Sequence, residues 1–183
     1  MPSLVADLRR RAALHPQRPA LILGEEVVTY AELWDRLQAV AVEFTRAGVV
    51  AGDRILLLGK STPAFVYGYY AAHWLGAVAI PVDPQAPPSR REELIDRTQP
   101  KLVFGSADEH HPSLGRIRAL QALCGLPSGS VDSAGPALDA LADVIFTTGT
   151  TGRPKGVRLT QRNIATAAHH INAVIRCREA DVE

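Results

Sequence analysis

The fold is indicated by residues 54–82, which read RILLLGKSTPAFVYGYYAAHWLGAVAIPV. Two apolar runs in this stretch, at residues 54–58 and 77–82, have the length of buried strands, and residues 62–75 between them predict a helix. Strands that are apolar throughout are covered on both faces, and strands that alternate with helices form mostly parallel sheets. We therefore predict an α/β fold in which a mostly parallel sheet is layered with helices.

The same alternation extends upstream. Elements expected there are a helix at residues 4–14, a hairpin with strands at 20–23 and 27–30, and a helix at 30–47. Thr29 and Glu32 have the spacing of a capping box at the start of the last helix, and Gly48 has the position of a helix-ending glycine.

Downstream, short apolar runs again alternate with helical segments. We predict a helix at 89–98, strands at 101–104, 143–147 and 156–159, and helices at 114–123 and 161–176. Ser89 and Glu92 have the spacing of a second capping box, and Thr160 can cap the last helix. Residues 125–136 are rich in Gly, Ser and Pro and predict a loop. The strands at 54–58, 77–82, 101–104 and 143–147 should share one sheet.

Composition excludes several classes of protein. The chain has 183 residues, 46% of them hydrophobic and 21% charged, with a net charge of +1. These values are ordinary for a globular domain and argue against disorder and against binding of nucleic acid. Residues 63–82 are largely apolar, but Gly, His and Pro interrupt them, so we expect no membrane span. No signal peptide is apparent at the start, which predicts a cytoplasmic protein.

No metal site is predicted. Cys124 and Cys177 lie far apart and outside any CxxC or Cys/His pattern, which is typical of reduced thiols. Two His pairs, at 110–111 and 169–170, lack a carboxylate or Cys at ligand spacing. Aromatic residues on the predicted helix at 62–75 are interpreted as core packing.

A candidate phosphate-binding loop lies in residues 143–157, DVIFTTGTTGRPKGV. Gly residues let backbone N–H groups approach an anion closely, Thr hydroxyls add donors, and Lys adds a positive charge, with Arg153 as a second cation. The candidate residues are Thr147, Thr148, Gly149, Thr150, Thr151, Gly152 and Lys155. Pro154 stands where a Walker A loop requires Gly, and a strand rather than a helix follows. The alternative interpretation is a flexible Gly/Thr hairpin between two strands.

The string FTTGTTGRPKGVRLTQRNI, at 146–164, resembles the phosphate-loop signature of the adenylate-forming ligase superfamily. That superfamily includes acyl-CoA synthetases, among them those of fatty acid metabolism, and the amino-acid-activating domains of peptide synthetases. VTYAEL at 28–33 and WLGAVAIPVD at 74–83 are similar to its first and second core motifs, in which Asp83 serves structure. Gln161 stands where the family often has His, and Thr148 where it often has Ser.

This resemblance implies that residues 1–183 are part of an N-terminal AMP-binding domain, truncated after the loop motif at 143–157 and the helix that follows it. The parent would be an enzyme that uses ATP, with Mg²⁺, to convert a small carboxylic acid to an acyl-adenylate and pass it to coenzyme A. Two alternatives stay open. One is an amino-acid-activating domain with a phosphopantetheine carrier as acceptor, and the other is a non-catalytic subdomain that packs on a partner.

By the same resemblance, the segments that bind adenine and ribose, help to hold magnesium and carry the catalytic Lys would lie downstream. We therefore expect no catalytic residue within these 183 residues and no activity from the chain alone. Apolar surface where later strands belong should be exposed, which predicts a dimer or poor solubility.

Overall fold

A computed structural model describes residues 2–105, 117–119, 129–147 and 155–176, with the backbone alone described for 117–119. The helices in these ranges are α1 (Leu4–Leu14), α2 (Tyr30–Arg46), α3 (Pro63–Trp74), α4 (Pro88–Thr98) and α5 (Gln161–Ile175). The strands are β1 (Pro19–Leu23), β2 (Glu26–Thr29), β3 (Arg54–Leu58), β4 (Val78–Val82), β5 (Leu102–Gly105), β6 (Ile117–Ala119), β7 (Leu141–Thr147) and β8 (Lys155–Thr160).

Six strands form the main sheet, in the order β6-β5-β3-β4-β7-β8, while β1 and β2 form a separate antiparallel hairpin. Every neighbouring pair in the main sheet is parallel except β7 and β8, which are antiparallel. The predicted α/β fold with a mostly parallel sheet is confirmed. All four strands expected to share that sheet lie in it.

Strands β3, β4 and β5 are buried on both faces of the sheet, as their apolar sequences predicted, whereas β7 and β8 are partly exposed. One face packs beneath α1, α2 and α3, where Ile55, Leu57 and Phe104 are buried with residues of these helices. The opposite face packs on α4, where Leu56 and Ile80 are buried. Alternate residues of one strand therefore enter different cores, which is why a continuous apolar run is needed.

Helix ends follow local chemistry at two of the three N-caps predicted and at the predicted helix-ending glycine. The Thr29 hydroxyl accepts from the Glu32 N–H, and the Glu32 carboxylate accepts from the Thr29 N–H, so α2 begins with a full capping box. Gly48, with φ of 79°, follows the last residues of this helix. Thr160 caps α5 in the same reciprocal way, with Asn163 as its partner.

The prediction of a capping box at Ser89 and Glu92 is wrong. Helix α4 begins at Pro88, and its N-cap is Pro87, which has no side chain able to accept a hydrogen bond. Proline's fixed φ suits the first helical position, so the helix starts upstream of Ser89 and leaves that residue inside the first turn.

Strand β6 contradicts the helix predicted at 114–123. It pairs in parallel with β5, where Val103 lies opposite Ile117. Hydrogen bonds to a neighbouring strand override the local helical pattern, and the sequence of this segment alone does not contain them. The other residues of that predicted helix lie outside the described part of the chain, as do 125–128 of the predicted loop, whereas 129–136 lack regular structure. Across the described ranges, no helix is long and apolar enough to span a membrane.

Candidate functional site

The β7–β8 hairpin carries the candidate phosphate loop. Its strands pair from Leu141 opposite Thr160 to Thr147 opposite Lys155. The Thr147 hydroxyl donates a long hydrogen bond to the Lys155 carbonyl oxygen, 3.5 Å away. The first and last of the predicted site residues are thus brought together at the end of the hairpin.

The remaining predicted residues lie outside the described ranges: Thr148, Gly149, Thr150, Thr151 and Gly152, together with Arg153. The two that are described, Thr147 and Lys155, are both exposed. Among the described strands, β8 lies at an edge of the main sheet, and the exposed Lys155 on β8 pairs with the exposed Thr147 at the end of the neighbouring β7. An exposed cation beside a hydroxyl donor is suited to contacts with an anionic ligand.

On one face, the hairpin packs toward α4. The Arg97 guanidinium lies over the Phe146 ring, 5.4 Å from its centroid. Gly156 pairs opposite Phe146, and a Cβ at that position would lie 3.0 Å from Val144 Cγ1 and 3.2 Å from Phe146 Cε1. Packing therefore explains the glycine at position 156, because a methyl group there would clash with the Val144 and Phe146 side chains.

On the opposite face, Asp143 of β7 forms a buried polar cluster with α3. The Tyr69 hydroxyl donates to Asp143 Oδ2 at 2.7 Å, and His73 Nε2 lies 2.9 Å from Oδ1. Asp143 is 3% exposed and His73 is fully buried. Burial raises the pKa of the Tyr69 hydroxyl, and the neighbouring Asp143 carboxylate raises it further. We call these three residues the Asp143 cluster.

Sequence reasoning missed the Asp143 cluster. Two signals could have found it: an Asp in the otherwise apolar strand LADVIFT, and a His in the apolar helix that precedes Gly76. A buried ionisable group is rarely found without a partner. The core interpretation of the aromatic residues is confirmed for Tyr67 and Trp74, which are 5% and 4% exposed, whereas Tyr69 adds a hydrogen bond.

Two other predictions can be checked against the geometry. His169 and His170 are exposed on α5, in keeping with solvated side chains. The Asp83 carboxylate accepts the Gln85 N–H at 2.8 Å, a local turn contact consistent with the structural role expected of it. The two Cys residues and the first His pair lie outside the described ranges.

The model of a family described as AMP-binding enzyme matches residues 8–182. The chain belongs to the family of AMP-binding enzymes. Feruloyl-CoA synthase of an Amycolatopsis species is 32% identical over 163 residues, which cover 85% of this chain and 33% of that protein. Nonribosomal peptide synthetase 8 of Aspergillus fumigatus is 33% identical over 162 residues, which cover 84% of this chain and 2% of that protein.

The structure of O-succinylbenzoate coenzyme A synthetase (MenE) from Bacillus subtilis, in complex with AMP, matches with a TM-score of 0.87 at 25% identity. The match covers 95% of this chain and 47% of that one. The chain thus spans about a third of feruloyl-CoA synthase and just under half of the MenE chain. The resemblance inferred from the sequence motifs is confirmed: this is part of an adenylate-forming ligase fold, with relatives among both CoA ligases and peptide synthetases.

Proposed function

We propose that this chain supplies the phosphate-gripping part of an ATP-dependent, AMP-forming ligase that activates a carboxylic acid and transfers it to coenzyme A. The observation that supports the proposal is the end of the β7–β8 pair, where Thr147 and Lys155 lie opposite each other and both are exposed. Family membership supplies the reaction class, since residues 8–182 match the model of a family described as AMP-binding enzyme.

The chemistry required of this site is electrophilic activation. A carboxylate has a poor leaving group, and its attack on the α-phosphorus of ATP gives an acyl-adenylate with release of pyrophosphate. The acyl carbon is then attacked by a thiol, and AMP leaves. The residues from Thr147 to Lys155 would hold the β- and γ-phosphates, so that the α-phosphorus is presented in line and the developing charge on pyrophosphate is stabilised.

In this role Lys155 supplies a positive charge and the threonine hydroxyls supply donors, while Gly149 and Gly152 admit backbone N–H groups to the phosphates. Mg²⁺ would accompany the nucleotide. Among the described residues, no group of three or more His, Cys, Asp or Glu side chains could hold a metal ion.

A second candidate is amino-acid activation with transfer to a carrier-protein phosphopantetheine. It is favoured by the 33% identity to nonribosomal peptide synthetase 8. The two candidates share the adenylation step and differ in the acid and in the thiol acceptor.

The phosphate role is tested by titrating the chain with inorganic tripolyphosphate and following the amide signals of β7 and β8 by NMR. Exposed contacts are worth about 1 kcal/mol each, so we expect a dissociation constant on the order of millimolar. Lys155→Ala should weaken binding by about five-fold. Arg158→Ala removes an exposed cation from the same strand and should leave binding within about two-fold. Equal effects of the two substitutions would show that the anion senses only net charge.

The catalytic role is tested by acid-dependent ATP–pyrophosphate exchange. We expect none from the chain alone. The part of feruloyl-CoA synthase that this chain does not cover, added in trans, should restore exchange in the CoA-ligase case. The corresponding downstream part of a peptide-synthetase adenylation domain should restore it in the second case. Exchange by the chain alone would refute the assignment of the chain as one part of the active site.

A further inference from the structure

Among the described residues, the backbone ladder between the β7–β8 hairpin and the rest of the main sheet has a single residue pair, although β7 packs alongside β4. In the part of the chain that the structure describes, β4 and β7 pair at Ala79 and Asp143. By contrast, β3 and β4 pair at five positions and β7 and β8 at six. The backbone ladder that fixes the orientation of the hairpin relative to the parallel strands is therefore short, and it lies at Asp143.

The side chain of the same residue makes a second attachment. Asp143 accepts the Tyr69 hydroxyl and meets His73 Nε2, and both partners belong to α3. These partners are 74 and 70 residues away in sequence, so the contacts cross from the hairpin to the helix that joins β3 and β4. Backbone and side chain together hold one residue at three points.

Burying these polar groups is less favourable than burying apolar side chains of the same size would be. A buried carboxylate loses its hydration, and His73 Nδ1 is also buried without a hydrogen-bond partner. Well-packed apolar residues often stabilise a core as much as a buried polar pair does, whereas polar groups with directional bonds can select one geometry. The Asp143 cluster is therefore better explained by orientation than by stability alone.

We propose that the Asp143 cluster is a positioning joint that fixes the β7–β8 hairpin, and with it both ends of the loop from Thr147 to Lys155, against α3. Thr147 lies four residues beyond Asp143, about 13 Å along the strand. A 10° pivot at Asp143 would move Thr147 by about 2 Å, enough to break hydrogen bonds to a ligand. That the positioned loop holds phosphate rests on the proposed function, whereas the joint rests on the geometry alone.

The experiment measures amide hydrogen exchange in the full chain for Tyr69→Phe and Asp143→Asn. Loss of one hydrogen bond at the joint should speed exchange in β7 and β8 by about five-fold, with little change in β3 and β5. Val40→Ala is the control, since Val40 is fully buried in α2 and its truncation lowers global stability while all three residues of the Asp143 cluster are kept. It should speed exchange in all these strands alike.

His73 gives a test by conservative replacement. His73→Gln keeps an N–H group near the Nε2 position, and His73→Leu removes it, so exchange in the hairpin should be faster in the Leu variant than in the Gln variant. Equal acceleration of β3, β5, β7 and β8 in Tyr69→Phe would overturn the joint and leave the cluster an ordinary part of the core. Tyr69→Phe removes only a hydroxyl, so the test does not depend on whether Asp143→Asn folds.

Tripolyphosphate binding separates the joint from the proposed function. If the joint positions a phosphate loop, Tyr69→Phe should weaken tripolyphosphate binding by about three- to five-fold although Tyr69 is remote from the ligand. Local acceleration of exchange in a chain that does not bind tripolyphosphate would support the joint and refute the phosphate role. Binding that is unchanged in Tyr69→Phe, with exchange accelerated uniformly, would refute the joint and leave the phosphate role standing.

Discussion

Gly68 of α3 is the position at which the packing of helix on sheet can be tested most directly. A Cβ there would lie 2.3 Å from Phe104 Cε1, 2.8 Å from Cδ1 and 2.9 Å from Cζ. Carbon atoms in contact are about 3.5–4.0 Å apart, so the overlap with the ring exceeds 1 Å. Phe104 is fully buried and stacks edge-on against Phe44 at 5.4 Å, which leaves the ring no open space to move into.

Gly68→Ala should therefore destabilise the chain even though it improves helix propensity. Overpacking of a core costs about 1–3 kcal/mol, and the rigid surroundings of Phe104 favour the upper end. Replacing Gly by Ala within a helix returns about 1 kcal/mol. The net loss is about 2 kcal/mol, which lowers the melting temperature of a chain of this size by about 4–8 °C.

The assay is thermal and urea unfolding of four proteins: wild type, Gly68→Ala, Phe104→Leu and the double variant. The smaller Leu side chain leaves space for the new methyl group, so Gly68→Ala should be neutral or stabilising in the Phe104→Leu background. The coupling free energy between the two positions should be at least about 1 kcal/mol. A single Gly68→Ala variant that is as stable as wild type would refute the packing of α3 on β5 described here.

Three further results are expected. Thr160→Ala removes the cap of α5 and should cost about 1 kcal/mol in the free energy of unfolding, measured by urea titration, whereas Thr166→Ala on the same helix should cost less. The Thr29 N–H and hydroxyl lower the pKa of Glu32, so the carboxylate stabilises the fold above its unfolded pKa near 4.5 and loses that effect as pH falls through its folded pKa. The difference in melting temperature between wild type and Glu32→Gln should therefore shrink on acidification, and a difference that stays constant would contradict this prediction. Apolar side chains are exposed on the hairpin, where Ile145 and Val157 lie opposite each other at 41% and 45% exposure, and on α5 at Ile171, Val174 and Ile175. Sedimentation velocity should therefore show concentration-dependent association that Val174→Glu reduces, and a monomer at all concentrations would contradict this prediction.

The sequence by itself determined most of the elements and the family. Short-range patterns specify helices and buried strands, and the capping boxes at Thr29 and Thr160 depend on residues three positions apart. The loop motif is equally local, because a stretch of Thr, Gly and Lys between two predicted strands can be recognised in the sequence without knowing where the strands lie in the fold. The cap at Ser89 failed for a reason that is also local, since the preceding Pro88 took the first helical position.

Only the tertiary structure decided the strand order, the pairing of β6 with β5 and the Asp143 cluster. These depend on hydrogen bonds between residues far apart in the chain, such as Tyr69 and Asp143, which are 74 positions apart. The sequence contains an Asp in an apolar strand and a His in an apolar helix. It does not show that α3 packs against β7 so that these two side chains come within hydrogen-bond distance. Burial and partnership are properties of the packed chain, and the same carboxylate would be an unpaired and destabilising charge in any other arrangement of these elements.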